Sequence, residues 1–333
     1  MSKAQFWTQA LAPLPRAFVE RLLRIGTEEE VACWARTFWE ERWAAFRVNP
    51  LRAPSEEAAL EALQKAQVPA RPVEWMPGAY VVGASYRAAL LASEPCRRAW
   101  LYVQNLSSML PVWILGPDPE DRVLDLCAAP GGKTLQLAAG LRDPAQIVAV
   151  EKARGRYYKL RALLTHYGAG RVRAVLADGR LAGSRWPEAF DCVLLDAPCS
   201  AEARFRIGQP ETYRYWSLRK VHELAYRSQQ LLESALHALR AGGRLLFATC
   251  TFAPEENEGV LAAVLERWGS ALELEPISCP FANHRPGLRS WNGRRFPEAV
   301  GLAVRVLPTA EMEGFFLALL RKRVPLGRQK GRR

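Results

Sequence analysis

The chain has 333 residues, 49% of them apolar and 24% charged, a composition that suits a packed globular protein and excludes a disordered or fibrous one. Its net charge of +12 comes from 46 Lys and Arg against 34 Asp and Glu. No stretch approaches the roughly 18 uninterrupted apolar residues of a membrane span, and the start MSKAQFWTQALAPLPR lacks an apolar signal core, so a cytoplasmic protein with no membrane partner is expected.

From about Leu14 to Phe46 the apolar residues fall at helical spacing: Phe18, Leu22, Leu23 and Ile25, then Val31, Trp34, Phe38, Trp39, Trp43 and Phe46. This predicts two or three short helices. RVNPLR (47–52) follows with an Asn-Pro turn. A helix then runs through SEEAALEALQKAQ, capped by Ser55 with Glu56 and Glu57 in its first turn, and WMPGAYVVG reads as a strand. Residues 1–100 therefore form an N-terminal region of helices and a small α/β unit. After about Trp100 the rhythm becomes strand, turn, helix. RVLDLC, QIVAVE, RVRAVLAD, FDCVLLDA and GGRLLFATC are short apolar runs separated by helical or loop segments. Buried parallel strands with crossover helices give this pattern, so residues 101–323 are expected to form a doubly wound, Rossmann-like α/β sheet, followed by a basic tail over 324–333.

Ligands in such sheets bind beyond the C-terminal strand ends, and the unusual polar residues fall there. The first strand runs into DLCAAPGGKT (125–134) and then a helix. Two glycines after a proline allow a tight turn and close approach to a ligand. A phosphate-binding P-loop needs glycine where Cys127 stands, so Gly-Lys-Thr does not make a triphosphate site. Later strands end in Glu151, in Asp178, in Asp196-Ala-Pro-Cys199-Ser and in Thr249-Cys250-Thr251. Three carboxylates and two cysteines thus share one rim. None of the seven cysteines forms a C-x-x-C pair, which points away from a disulfide framework or zinc site and towards a reduced thiol with a chemical task. Residues 285–333 hold 12 cations against 3 acids. Interleaved with Trp291, Phe296, Phe315 and Phe316, they suit a polyanion.

RVNPLR (47–52), YVQNLSSMLPV (102–112), DLCAAPGGKT (125–134), LLDAPCSAEARFR (194–206), ATCTFAPEENE (248–258) and EGFFLALLRK (313–322) span most of the chain. In these stretches it resembles the RNA cytosine-5 methyltransferases of the Nol/Nop/Sun type, most of all the bacterial enzymes acting on small-subunit ribosomal RNA. The resemblance implies an S-adenosylmethionine pocket lined by Cys127, Ala128, Ala129, Pro130, Gly131, Gly132, Lys133, Glu151, Asp178 and Asp196, with Glu151 on the ribose and Asp178 near the adenine. It implies Cys250 as nucleophile, Cys199 as the second cysteine, which helps to release product, and Asp196 at the base. It further implies an RNA partner, ribosomal RNA or the small ribosomal subunit, and an RNA-binding role for residues 1–100; a monomer is expected.

The chemistry explains the residue types. Carbon 5 of cytosine is too electron-poor to attack a methyl sulfonium until a thiolate adds at carbon 6. Transfer RNA as substrate is the nearest alternative. A noncatalytic RNA-binding ribosome-assembly factor is another, although such a protein has no use for two thiols at adjacent strand ends. The loop after Cys199 reads Ser-Ala-Glu where the resembled family usually has Ser-Gly-Glu, so Ala201 is expected to stiffen or shift it.

Overall fold

A computed structural model describes residue 7 and residues 9–327. The expected helices appear as α1 (Arg16–Ile25) and α2 (Glu28–Trp39), the latter opened by Thr27, whose hydroxyl accepts from the Glu30 amide in a capping box. The helical periodicity does not carry on to Phe46, because the chain has turned into β1 (Ala44–Val48), which pairs with β3 (Ala79–Val82) on one side and β4 (Leu101–Val103) on the other. Pairing along both edges outweighs the spacing of Trp43 and Phe46. The four-stranded antiparallel sheet has the order β2-β3-β1-β4, with β2 at Arg71–Pro72. It therefore extends to Val103, past the boundary expected at 100. Helix α3 (Glu56–Lys65), capped by the Ser55 hydroxyl at 3.1 Å from the Ala58 amide, packs Ala59 and Leu63 against Phe46, Tyr80 and Leu101.

The remaining chain builds one nine-stranded sheet, β11-β14-β15-β9-β8-β5-β6-β7, with β10 on the far part of β15. Its parallel half comprises β5 (Val123–Asp125), β6 (Ile147–Glu151), β7 (Arg173–Leu176), β8 (Phe190–Asp196) and β9 (Leu239–Thr249). The antiparallel half adds β10 (Leu272–Glu275), β11 (His284–Pro286), β14 (Val304–Val306) and β15 (Phe315–Lys322). A small hairpin of β12 (Ser290–Trp291) with β13 (Arg294–Arg295) stands apart. Alternate residues serve opposite faces. Val123, Leu194 and Leu246 meet α4 (Leu106–Leu115), α5 (Gly132–Gly140) and α6 (Arg154–His166). Leu124, Val193 and Leu245 meet α7 (Leu218–Ala238) and α8 (Glu258–Trp268). Strand order reverses between β5 and β8, which places the ligand crevice of a doubly wound sheet at their C-terminal ends.

Helices α1 and α2 do not sit on the small sheet. Phe18, Trp34 and Phe38 bury themselves against Ala203, Phe205 and Phe252, in loops that follow β8 and β9.

The basic C-terminal segment also differs from expectation. Phe315 and Phe316 lie inside the sheet, and Trp291 is buried beside Arg21 and Arg24. Arg285, Arg294, Arg305, Arg321, Lys322 and Arg323 pair with Glu30, Glu266, Glu258, Glu275, Glu188 and Glu273. Among the described residues, most of these cations are thus paired in space with acids distant in sequence. Residues 328–333 of the expected basic tail lie outside the described residues.

Candidate active site

A cleft of about 450 Å³ opens at the ends of β5 and β8. After Asp125 the chain turns through a loop into α5. Gly131 has φ +120°, and a Cβ there would stand 2.9 Å from Leu160 Cδ1. A Cβ on Gly132 would stand 2.8 Å from Tyr102 Cε1. The two glycines therefore let the loop lie directly between α6 and the end of the small sheet. The Asp125 carboxylate accepts from Thr134 Oγ1 at 2.6 Å, and burial raises it to about 6. Lys133 is not free for a phosphate. Its Nζ donates to Asp196 Oδ2 at 2.7 Å and to Ser108 Oγ at 2.7 Å, which agrees with the rejection of a P-loop.

Parallel pairing of β8 with β9 delivers two cysteines to one spot, Cys250 directly after β9 and Cys199 in the loop after β8. Their sulfurs are 3.5 Å apart. The contact shifts the two thiols in opposite directions. A hydrogen bond from Cys199, followed by the Arg204 guanidinium, lowers the Cys250 thiol in spite of burial. The same hydrogen bond, with burial added, raises Cys199 well above an ordinary thiol. Arg204 is held up in turn by Cys250 and then by Glu313. Its Nε lies 3.5 Å from Glu313 Oε2, while Arg42 Nη1 reaches Glu313 Oε1 at 2.7 Å. Arg42 also donates to the Ala203 carbonyl at 2.6 Å. A line of ion pairs thus runs from beside Cys250 through Arg204 and Glu313 to Arg42 in the N-terminal region.

The segment TFAPEENE holds the two cysteine loops together. Glu256 accepts from the Ser200 amide at 2.9 Å and from its hydroxyl, and burial raises its carboxyl to about 8. Glu202 accepts from the Phe252 amide at 3.0 Å and from Trp216 Nε1 at 2.9 Å. Asn257 ties Thr249 to the Thr251 carbonyl, and Glu258 pairs with Arg305. Ala201 lies between these anchors at φ +55°, in the left-handed region that favours glycine; its side chain costs about 1 kcal/mol there.

Of the residues singled out in sequence, Cys127, Ala128, Ala129, Pro130, Gly132, Lys133, Asp196, Cys199 and Cys250 line the cleft. Gly131 does not line it and faces Leu160 and Leu163 instead. Glu151 and Asp178 stand at the ends of β6 and β7 but do not line it. Glu151 is buried, with Oε1 accepting from the Ala153 amide at 2.7 Å. Asp178 is turned to Arg180 and Lys152, each at 2.7 Å, and the Arg180 hydrogen bond holds its carboxyl well below the usual range. A carboxylate at a strand end gathers the nearest donors, and for Asp178 those lie outside the cleft.

Sequence reasoning missed Arg204, Glu313, Arg42, Ser108 and Arg156. Glu313 and Ser108 lay within EGFFLALLRK and YVQNLSSMLPV, where a search for polar residues could have found them; nothing in the Glu40-Glu41-Arg42 run marks Arg42. RVNPLR serves as a strut. Arg47 donates to Gln104 Oε1 at 3.1 Å and to the Gly132 carbonyl at 3.2 Å, and Asn49 Nδ2 donates to the Tyr167 carbonyl at 3.0 Å.

Residues 112–321 match the family described as 16S rRNA methyltransferase RsmB/F. The chain belongs to this family. It is 35% identical over 314 residues to a protein named ribosomal RNA small subunit methyltransferase F from Erwinia tasmaniensis, covering 92% of this chain and 63% of that one. A protein of the same name from Aliivibrio fischeri is 35% identical over 283 residues, covering 84% and 57%. The chain thus spans about six-tenths of the length of these relatives. Among solved structures, a methyltransferase homolog protein from Pyrococcus horikoshii superposes with a TM-score of 0.80 at 27% identity, over 95% of this chain and 98% of that one. A Rossmann-like methyltransferase fold, with its parallel strands flanked by an antiparallel extension, is therefore the architecture of this chain.

Proposed function

We propose that this chain methylates carbon 5 of cytosine in small-subunit ribosomal RNA, with Cys250 as nucleophile, Cys199 as the release group and Asp196 at the base. The observation that supports it most is the Cys199–Cys250 pair at 3.5 Å in the same cleft as the glycine loop, with Arg204 beside it. The cleft suits S-adenosylmethionine, since Asp125 and Asp196 offer carboxylates to a cation and the loop exposes backbone to its polar end. When bound, that cofactor supplies an electrophilic methyl group.

Cys250, favoured as the thiolate by Cys199 and Arg204, adds to carbon 6 of cytosine and makes carbon 5 nucleophilic. Asp196, held by Lys133, is placed to carry a proton to ring nitrogen 3, where electron density rises as the thiolate adds, and to take it back when the ring re-forms. Bond formation consumes the Cys250 thiolate and removes the first cause that keeps Cys199 protonated. Once Cys199 has passed its own proton to solvent in the open cleft, its thiolate takes the carbon 5 proton. The electrons of that C–H bond restore the carbon 5–carbon 6 double bond, and the carbon 6–sulfur bond breaks to return Cys250 as a thiolate.

The test separates the thiols. Cys250→Ala abolishes methylation and any covalent RNA adduct. Cys199→Ala, given S-adenosylmethionine and ribosomal RNA, accumulates an adduct that survives denaturing electrophoresis. An adduct from Cys250→Ala and none from Cys199→Ala would exchange the roles. Neither adduct nor methylation from the wild type with any RNA would leave an RNA-binding assembly factor as the reading.

A further inference from the structure

We infer that the exposed face of α6, with Arg173 of β7 beside it, is a docking surface for the ribose-phosphate backbone of the substrate RNA. The inference rests on the proposed RNA substrate and names where that RNA lies. Between Glu151 and Asp178 the sequence holds seven Lys and Arg and no acid. Lys152, Arg156 and Arg171 find partners in Asp178, Glu151 and Asp143. Arg154, Lys159, Arg161 and Arg173 have no ion pair among the described residues and are all exposed. This differs from the C-terminal segment, where six of the described cations pair with glutamates elsewhere in the chain.

The helix is unusual for its length, burying only Leu160 and Leu164. Arg154, Tyr158 and Arg161 follow at i, i+4 and i+7, one stripe of about 10 Å along the axis. The stripe has aromatic surface as well as charge. The rings of Tyr157 and Tyr158 are 5.4 Å apart, Arg154 lies 5.9 Å over Tyr158, and Arg161 lies 5.9 Å over Tyr157. Tyr158 is 51% exposed. Guanidinium groups already stacked on rings and lacking carboxylate partners suit a strand of phosphates with unstacked bases.

The surface is fixed at both ends. At its start, Arg156 donates to the Ala129 carbonyl and lines the cleft. At its finish, Arg52 Nη2 donates to the Thr165 carbonyl at 3.1 Å. An RNA strand on this face therefore runs between the cleft and the small N-terminal sheet without a change of conformation in the protein.

The test compares two sets of cations in the full chain, with deproteinised small-subunit ribosomal RNA as the probe. The triple variant Arg154→Ala, Lys159→Ala, Arg161→Ala should lower the slope of log affinity against log salt by roughly 2–3, at 0.7–0.9 per lost phosphate contact. Arg294→Ala with Arg321→Ala, which removes cations already paired, should leave it unchanged. Tyr158→Ala should weaken binding without altering the slope. S-adenosylmethionine binding by the triple variant should equal that of the wild type, which shows the fold intact. A triple variant that keeps the wild-type slope overturns the surface and leaves the proposed function standing. Loss of binding only to the assembled subunit assigns the face to a ribosomal protein and overturns the RNA assignment. A wild type that binds no RNA at low salt overturns both.

Discussion

At the cleft, a neighbouring thiol and then an arginine lower one thiol. The Cys250 sulfur has a donor in Cys199 and a cation in Arg204, and only the second is independent of the other cysteine. Arg204→Met removes that cation, so Cys250 must need a higher pH to ionise. Without RNA, the pH midpoint for alkylation of Cys250 by iodoacetamide should rise by roughly one to three units, the usual effect of an opposite charge at close range. Arg204→Lys should restore most of it. An unmoved midpoint in Arg204→Met would reduce Arg204 to a partner of Glu313. The roles of Asp196 and Lys133 are also joined, because Lys133 stands between Asp196 and Ser108 and neither acts alone.

Among the elements, the loops after β8 and β9 depend on one buried acid. Glu256 gathers the amide and hydroxyl of Ser200, and burial raises its carboxyl from 4.5 to about 8. A raised carboxyl contributes stability that is fully present below 4.5 and is lost as the pH rises through 8. Asp125, raised from 3.8 to about 6, acts with the same sign over a lower window. Urea unfolding should therefore show stability falling between pH 5 and pH 8.5. Glu256→Gln keeps an acceptor for the Ser200 amide and cannot ionise, so it should flatten the upper part of that fall. The same slope in wild type and variant would mean that Glu256 titrates as an ordinary acid.

For the whole molecule, α1 and α2 belong to the same core as the cysteine loops. Trp34 stacks on Phe252 at 5.4 Å, two residues beyond Cys250, and Arg285 lies over the Trp34 ring at 5.6 Å. Trp34→Ala should destabilise the protein by about 3–5 kcal/mol, as for a large buried aromatic. Urea unfolding followed by circular dichroism should show one transition shifted as a unit. A separate early transition that leaves the main one in place would make the N-terminal helices a detachable unit.

Some of this was legible in residue order alone. The five parallel strands, the glycine loop and both cysteines could be read because local period and turn chemistry act over a few residues, and a parallel sheet gathers strand ends on one side. The Ser55 cap is equally local. What could not be read depended on partners distant in the chain. Phe46 became a strand residue by pairing with Tyr80 and Val103. Asp178 turned to Arg180 and Lys152, and the C-terminal arginines turned to glutamates as far away as Glu30. Arg42 reached the cleft only because α1 and α2 pack on the cysteine loops. Sequence determines which groups a segment carries. Which charges stay unpaired is decided only when segments meet, because Coulomb energy and burial depend on distance in space.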